Sequence, residues 1–203
     1  YQIYQINEPQ LNSVSIRFKP DFTIFEKHEF DYDWIAKRCR DIAITQPHLT
    51  ITLIDERTSE MRQDILHHPD GIRDLVQDLN RDKSSKHEII YIHKQILLET
   101  DIEVQNMQVE VAMQFTDSDD IEIHGYVNTM YSSGTHLDAF RQSLMGPYHS
   151  NTGNAPDWNI IARGLTVVVN VILPPKFMSY ERQSTPRILT PEAYDIVVIA
   201  TSN

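Results

Sequence analysis

The sequence predicts an α+β domain, because strand-period and helix-period segments are interspersed along a chain of 203 residues. Three segments carry that expectation. Val109, Val111, Met113 and Phe115 alternate with Gln108, Glu110, Ala112 and Gln114, the period of a strand with two different faces. Leu165–Leu173 is a long apolar run, rich in valine and closed by Pro174-Pro175, and reads as a buried strand. Ile72, Leu75, Val76 and Leu79 instead recur at helical spacing behind Asp70-Gly71.

The remaining elements follow in order. Tyr1–Ile6 and Val14–Phe18 alternate around Asn7, Pro9 and Asn12, which predicts two strands and a loop. Two strands alone bury little, so this pair is expected to belong to a larger sheet. Lys19-Pro20-Asp21 breaks the pattern. A helix follows, with Asp31 or Asp33 as its cap and Trp34, Ile35, Cys39, Ile42 and Ala43 along one side; Cys39 is expected to be a buried, inert thiol. Pro47 ends that region, and Leu49–Ile54 alternates as a strand. After the helix at Ile72 comes a polar break, Asn80–Lys86, then a strand at Ile89–Ile92. Thr116-Asp117-Ser118-Asp119 makes a turn, and Ile121–Val127 is expected to return as the hairpin partner of Val109–Phe115. Thr135 is the expected N-cap of a helix carrying Leu137, Phe140, Arg141 and Leu144, with Asp138 behind it. His149–Asp157 reads as a surface loop.

Composition bounds the chemistry. The net charge of −11 argues against an all-over basic surface, so any contact with DNA must use local patches of Lys and Arg. Eight acids (Glu99, Asp101, Glu103, Glu110, Asp117, Asp119, Asp120 and Glu122) share one stretch without a cation, expected to be a solvated sheet face or loop. Cys39 is the single cysteine, which excludes an internal disulfide and points to the cytoplasm. No apolar run approaches the roughly 20 residues that span a bilayer, and neither a membrane segment nor a signal peptide is expected. His67 and His68 are adjacent and point different ways, so no metal site is expected. Phosphate-loop and dinucleotide fingerprints are absent, and no nucleophile–base constellation can be assembled. His136, at a helix start, is expected to be satisfied within the fold or to bond a neighbouring loop. One loop stands out. Lys176 to Thr190 carries Lys176, Arg182 and Arg187 against Glu181 alone, between a buried strand and the helix start Thr190-Pro191-Glu192. A flexible basic loop between rigid elements can sense an anion, and it can equally be a solvated connection.

Several segments resemble the B subunits of gyrase and topoisomerase IV. They are Phe18-Lys19-Pro20-Asp21, Ile24-Phe25 and Phe30-Asp31-Tyr32-Asp33, then Ile51 through Arg57, Gly71-Ile72-Arg73, Leu79-Asn80, Lys83 and His87-Glu88. Val109 through Phe115, Tyr126-Val127-Asn128 and Gly134-Thr135-His136 are the most specific, and Arg163 through Thr166 with Pro175-Lys176-Phe177 close the series. In order, they cover nearly the whole chain. A mismatch-repair or chaperone ATPase with a similar middle fold is the remaining family alternative.

The resemblance implies a transducer of the ribosomal-protein-S5 domain-2-like α+β class. Residues 1–19 would then be the last strands of a GHKL-type ATPase domain, 20–190 the transducer, and 191–203 the start of a helix leading to a Toprim cleavage module. Propensity alone makes Asp195–Thr201 a strand; the resemblance and the Thr190-Pro191-Glu192 signal make it a helix, which is the expectation. The implied function is the relay of ATP binding and hydrolysis to DNA strand passage, within an ATP-dependent type IIA topoisomerase. This segment is expected to be inactive alone and to bind no cofactor alone. Implied for the intact protein are ATP with Mg²⁺, an A subunit, duplex DNA and self-dimerisation. In the family, the loop after the valine-rich strand carries Gln-Thr-Lys, whose lysine reaches the γ-phosphate. Alignment on Leu189-Thr190-Pro191-Glu192 puts Gln183, Ser184 and Thr185 there and implies an insertion after Phe177; alignment from Phe177 puts Tyr180, Glu181 and Arg182 there. The first is preferred because it keeps Gln183 and the helix start. Neither supplies a lysine, which leaves Arg182 or Arg187 as its replacement. Ser133 also stands for the first glycine of Gly-Gly-Thr-His, and Ala162-Arg163 for the usual Arg-Glu. The alternative function is therefore a divergent DNA-binding or assembly module that has lost normal ATP coupling.

Overall fold

The computed structural model describes residues 2–4, 12–24, 30–57, 59–99, 104–152, 157–182 and 185–201. The chain falls into two compact units, Tyr1–Asp33 and Trp34–Asn203. In the first, β1 (Gln2–Tyr4) and β2 (Ser15–Arg17) pair antiparallel, with Ile3 opposite Ile16. Their alternation predicted both strands; Asn7 and Pro9 lie outside the described residues. The Asp21 carboxylate accepts both the Thr23 N–H (2.9 Å) and its hydroxyl (2.7 Å), which holds its pKa below the usual range. The Phe18 and Phe30 rings meet edge to face at 5.5 Å.

Helix α1 (Tyr32–Thr45) is capped by Asp31, whose carboxylate accepts the Asp33 N–H at 3.0 Å. Its buried residues are Tyr32, Ala43, Ile44 and Thr45, whereas Trp34 is 67% exposed. The expected apolar side is therefore shifted, because Ile44 at the end of the helix makes the contact with Ile72 and Val76. Cys39 is half-buried, and burial raises its thiol pKa above the ordinary value, which keeps it protonated. β3 (Ile51–Asp55) and β4 (Arg62–Leu66) form a separate two-stranded antiparallel sheet, and α2 (Ile72–Leu79) follows.

The main sheet is built from β5 (Ile90–Glu99), β6 (Val104–Phe115), β7 (Glu122–Val127), β8 (Met130–Tyr131) and a later strand. Next in the chain are β9 (Ser133–Gly134), α3 (Thr135–Thr152), α4 (Trp158–Ile161) and β10 (Leu165–Ile172). The chain closes with β11 (Tyr180–Arg182), β12 (Thr185–Ile188) and α5 (Pro191–Thr201). The five strands of the main sheet run in the order β5-β6-β10-β7-β8, with β10 antiparallel to β6 and parallel to β7. The fold is α+β with a mixed sheet.

This order corrects the expected hairpin between Val109–Phe115 and Ile121–Val127. The strands do not touch in register; β10 lies between them, and β6 makes its hairpin with β5. The physical reason is burial. Val167, Val169 and Val171 point into a core with Phe140, Ile196 and Val197, while Val168 points the other way onto Ile72 and Val76. A strand apolar on both faces needs neighbours on both edges and helices on both sides. Each buried valine stabilises by about 2 kcal/mol. The parallel β7–β10 pair needs a long crossover, which the β8–α4 segment provides.

One further expectation changes. His149–Asp157 was expected as loop, but α3 continues through Pro147 to Thr152; residues 153–156 lie outside the described residues, and Asp157 caps α4 through the Asn159 N–H at 2.9 Å. The acidic stretch, where described, is an exposed turn at Asp117, Asp119 and Asp120, as expected, while its strand acids are partnered. Glu110 accepts from the Tyr91 hydroxyl (2.6 Å) and Asn170 (2.8 Å), Asp119 pairs with Arg163 (2.5 Å), and Glu122 pairs with Lys83 (2.5 Å). The helix expectation for Asp195–Thr201 holds: α5 buries Ala193, Ile196, Val197 and Ala200.

One buried polar chain ties α2 to the sheet. Thr166 donates to Asn80 (2.7 Å), Asn80 to Gln114 (2.9 Å), and Gln114 to the His87 carbonyl (2.8 Å). Asn80→Ala leaves Thr166 and Gln114 without these partners, and is expected to cost about 2 kcal/mol in urea unfolding.

Candidate functional site at the β9–α3 junction

The basic segment after β10 is not an open loop. A 3₁₀ turn at Pro175–Phe177 leads into β11, which pairs antiparallel with β12. β12 in turn pairs parallel with β9, Arg187 opposite Ser133 and Ile188 opposite Gly134. This corrects the expectation of a flexible connection. The hairpin lies beside Gly134-Thr135-His136, so the structure brings together two segments that are far apart in sequence.

Each residue at the junction has a distinct task. Gly134 has φ of 127°, and a Cβ there would lie 1.9 Å from the Ile188 carbonyl oxygen. Only glycine allows the two backbones to approach so closely. Ser133 has no such restriction, since the non-glycine residues with positive φ among those described are Asn128 and Thr129. Its departure from Gly-Gly is therefore tolerated. The Thr135 hydroxyl, expected to cap its own helix, donates to the Thr190 carbonyl at 2.8 Å. Thr190 is buried; its hydroxyl donates to the Phe177 carbonyl (2.6 Å) and accepts the Ser179 N–H (3.1 Å). Asn128 holds the exit of β10 through both the N–H and the carbonyl of Leu173, each at 2.8 Å.

His136 lies beneath the junction, with no solvent exposure. Its ring packs against Gly125 of β7, where a Cβ would sit 2.4 Å from Nε2 and equally close to the Ser132 carbonyl oxygen. Neither ring nitrogen has a hydrogen-bond partner of good geometry. Burial therefore pushes its pKa down to about 4, with the Ser132 carbonyl opposing weakly. The imidazole is neutral and enclosed within the fold, with the Ser132 carbonyl as its neighbouring acceptor.

The cations lie farther along the hairpin. Arg187 on β12 is 3.7 Å from Asp138 on α3, and Asp138 is also 3.4 Å from Arg141. The backbones of Arg182 and Thr185 pair across the hairpin, while Gln183 and Ser184 lie outside the described residues. Among the described residues, no group of three His, Cys, Asp or Glu could hold a metal ion, and no helix is long and apolar enough to cross a membrane. Sequence reasoning missed Thr190, Asp138 and Gly125 as parts of this junction. Thr190 was visible only as a helix start.

Comparison with known proteins places the chain. The family sequence model described as DNA gyrase B matches residues 71–203. The chain belongs to the DNA gyrase B family. The DNA gyrase B protein of Archaeoglobus fulgidus is 36% identical over 181 residues, which are 85% of this chain and 27% of that protein. The DNA topoisomerase 4 B protein of Enterococcus faecalis is 27% identical over 197 residues, 92% of this chain and 28% of that protein. The chain thus spans just over a quarter of these curated relatives. Among solved gyrase B structures, the 43K ATPase domain of the Thermus thermophilus protein, in complex with an aminocoumarin, superposes with a TM-score of 0.69 at 25% identity, covering 91% of this chain and 50% of that one. The gyrase B protein of Myxococcus xanthus shares the fold, with a TM-score of 0.70 at 23% identity over 90% of this chain and 58% of that one.

Proposed function

We propose that this chain is the transducer segment of the ATPase subunit of a type IIA topoisomerase, of the S5 domain-2-like class, and that it relays nucleotide state to DNA strand passage. The observation that carries the proposal is the β12–β9 pairing, which seats the basic hairpin on the Gly134-Thr135 junction at the start of α3. A displacement of the hairpin would act directly on α3, and through its packing on α5. The mechanism needs no reacting group here. Bound ATP would supply a γ-phosphate charge, and this chain offers arginines to meet it. The residues fit an anion: the Arg187 guanidinium already faces the Asp138 carboxylate at 3.7 Å, half exposed, and a phosphate oxygen can compete for such a partner. The intact protein would use Mg²⁺ with ATP, an A subunit, duplex DNA and a second copy of itself, in the cytoplasm.

In the intact gene product, Arg182→Ala combined with Arg187→Ala is expected to lower ATP turnover by about tenfold or more, as loss of charge stabilisation does. Unchanged turnover would sink the arginine replacement.

The second reading is a divergent module without ATP coupling, favoured by Thr185 at the lysine position and by the Asp138 partner of Arg187. It predicts duplex DNA binding with neither ATP-dependent supercoiling nor relaxation.

A further inference from the structure

We propose that Thr190, together with Thr135, forms a clasp that sets the position of the hairpin spanning 177–190, with Thr190 as the positioning residue; this rests on the reading of that hairpin as the nucleotide sensor. The ladder that docks the hairpin is short. β12 meets β9 at only two positions, Arg187 with Ser133 and Ile188 with Gly134. A ladder of that length leaves the entry arm of the hairpin unaddressed, and the entry arm is where Thr190 acts. Its hydroxyl joins Phe177 and Ser179, by a donated bond of 2.6 Å and an accepted one of 3.1 Å. Its carbonyl accepts from the first residue of α3, the Thr135 hydroxyl at 2.8 Å, and from the first turn of α5, the Ala193 N–H at 3.2 Å. The Leu189 N–H closes the base by donating to the Ser179 carbonyl at 2.9 Å. One buried residue therefore links both ends of the hairpin to two helices.

The chemistry of the clasp is specific to a hydroxyl. The side chain must donate and accept at once, which serine can do and valine, of the same shape as threonine, cannot. Loss of the hydroxyl removes partners from a carbonyl and an N–H together, while β12 keeps its ladder. No charge is removed, and the residue is set apart from Arg182 and Arg187. Its substitution therefore changes where the hairpin is held and not what it carries. A hairpin less often in its competent position binds nucleotide more weakly in proportion to the lost population.

The test uses the intact gene product, with Thr190→Val and Thr190→Ser. Hydrogen exchange is followed in peptides covering 176–190, and kcat and KM for ATP are measured alongside. In Thr190→Val, exchange in that segment is expected to quicken by about tenfold or more, the worth of one or two hydrogen bonds. KM for ATP is expected to rise by a similar factor, with a smaller change in kcat, and Thr190→Ser restores both. Exchange unchanged from the parent overturns the clasp. Faster exchange with unchanged KM and kcat, while the Arg182/Arg187 double variant loses turnover, overturns the clasp's role and leaves the sensor reading standing. If the arginine variant is equally silent, the sensor reading itself has failed, and the clasp's role in nucleotide response falls with it. Should Thr190→Val not fold, Thr135→Val removes one bond of the clasp and is expected to move exchange and KM in the same direction by less. No movement in that variant overturns the proposal.

Discussion

Gly134→Ala is expected to destabilise the protein by about 3 kcal/mol or more, while Ser133→Ala, one residue away, is expected to be near neutral. Two costs add at Gly134. Its φ of 127° is a region that a residue with a Cβ enters only under strain. The new methyl would also lie 1.9 Å from the Ile188 oxygen and 2.8 Å from the Ile188 nitrogen and carbonyl carbon, all of them backbone. Backbone cannot move aside as a flexible side chain can, so β12 must leave β9. Ile188 is fully buried, and lifting the strand would draw its side chain out of a core shared with Phe140 and Val197. Urea unfolding of the two variants beside the parent measures the effect. The hairpin amides should lose exchange protection in Gly134→Ala alone. Equal stability of the two variants would show that the close approach at Gly134 carries no energy.

The sequence made some of this fold legible and concealed the rest for identifiable reasons. Leu165–Leu173 announced a buried strand, because apolarity on both faces is a local property. Its neighbours were not local. Ile121–Val127 follows a turn after Phe115, so adjacency suggested a hairpin, and nothing in either segment records that β10 enters between them. α5 shows the opposite conflict. Ile196, Val197, Val198 and Ile199 favour a strand by propensity, yet Pro191 at the first helical position and packing on α3 prevail. The hairpin after Lys176 gave no alternation to read. Its docking depends on β9, a strand of two residues that no periodicity reveals. The same holds for the site. Thr135 and Thr190 each fit a helix-start pattern, and either pattern alone accounts for a threonine there. Their bond to one another exists only in three dimensions. Gly134 and His136 stood out through family resemblance, but burial of the imidazole against Gly125 needed the coordinates.

Mild acid is expected to destabilise this protein through His136. Its pKa of about 4 in the folded chain compares with an ordinary value of 6.5, because burial disfavours the imidazolium and outweighs the opposing Ser132 carbonyl. Between those two values the unfolded chain holds a proton that the folded one does not, so stability rises with pH across that interval. The stabilisation is thus complete above pH 6.5 and lost progressively as pH falls towards 4. The gap corresponds to about 3 kcal/mol. His136→Leu removes the titration and fills the same pocket with an apolar side chain. Measured by urea unfolding at a series of pH values, the variant should lack the part of the parent's decline that lies between pH 6.5 and 4. The two curves should approach or cross on the acid side. Parallel curves would mean that His136 is protonated without cost and that its burial is not what the fold defends. A positive charge on this ring, in the first turn of α3 and next in sequence to Gly134 and Thr135, would be held against Gly125. Relief comes most readily by displacing the start of α3. The first elements released should therefore be β9 and the hairpin it holds, with the β5–β6–β10 sheet opening later. Exchange protection at pH 5 tests that order: the 177–190 amides should exchange well before those of Val167–Val171.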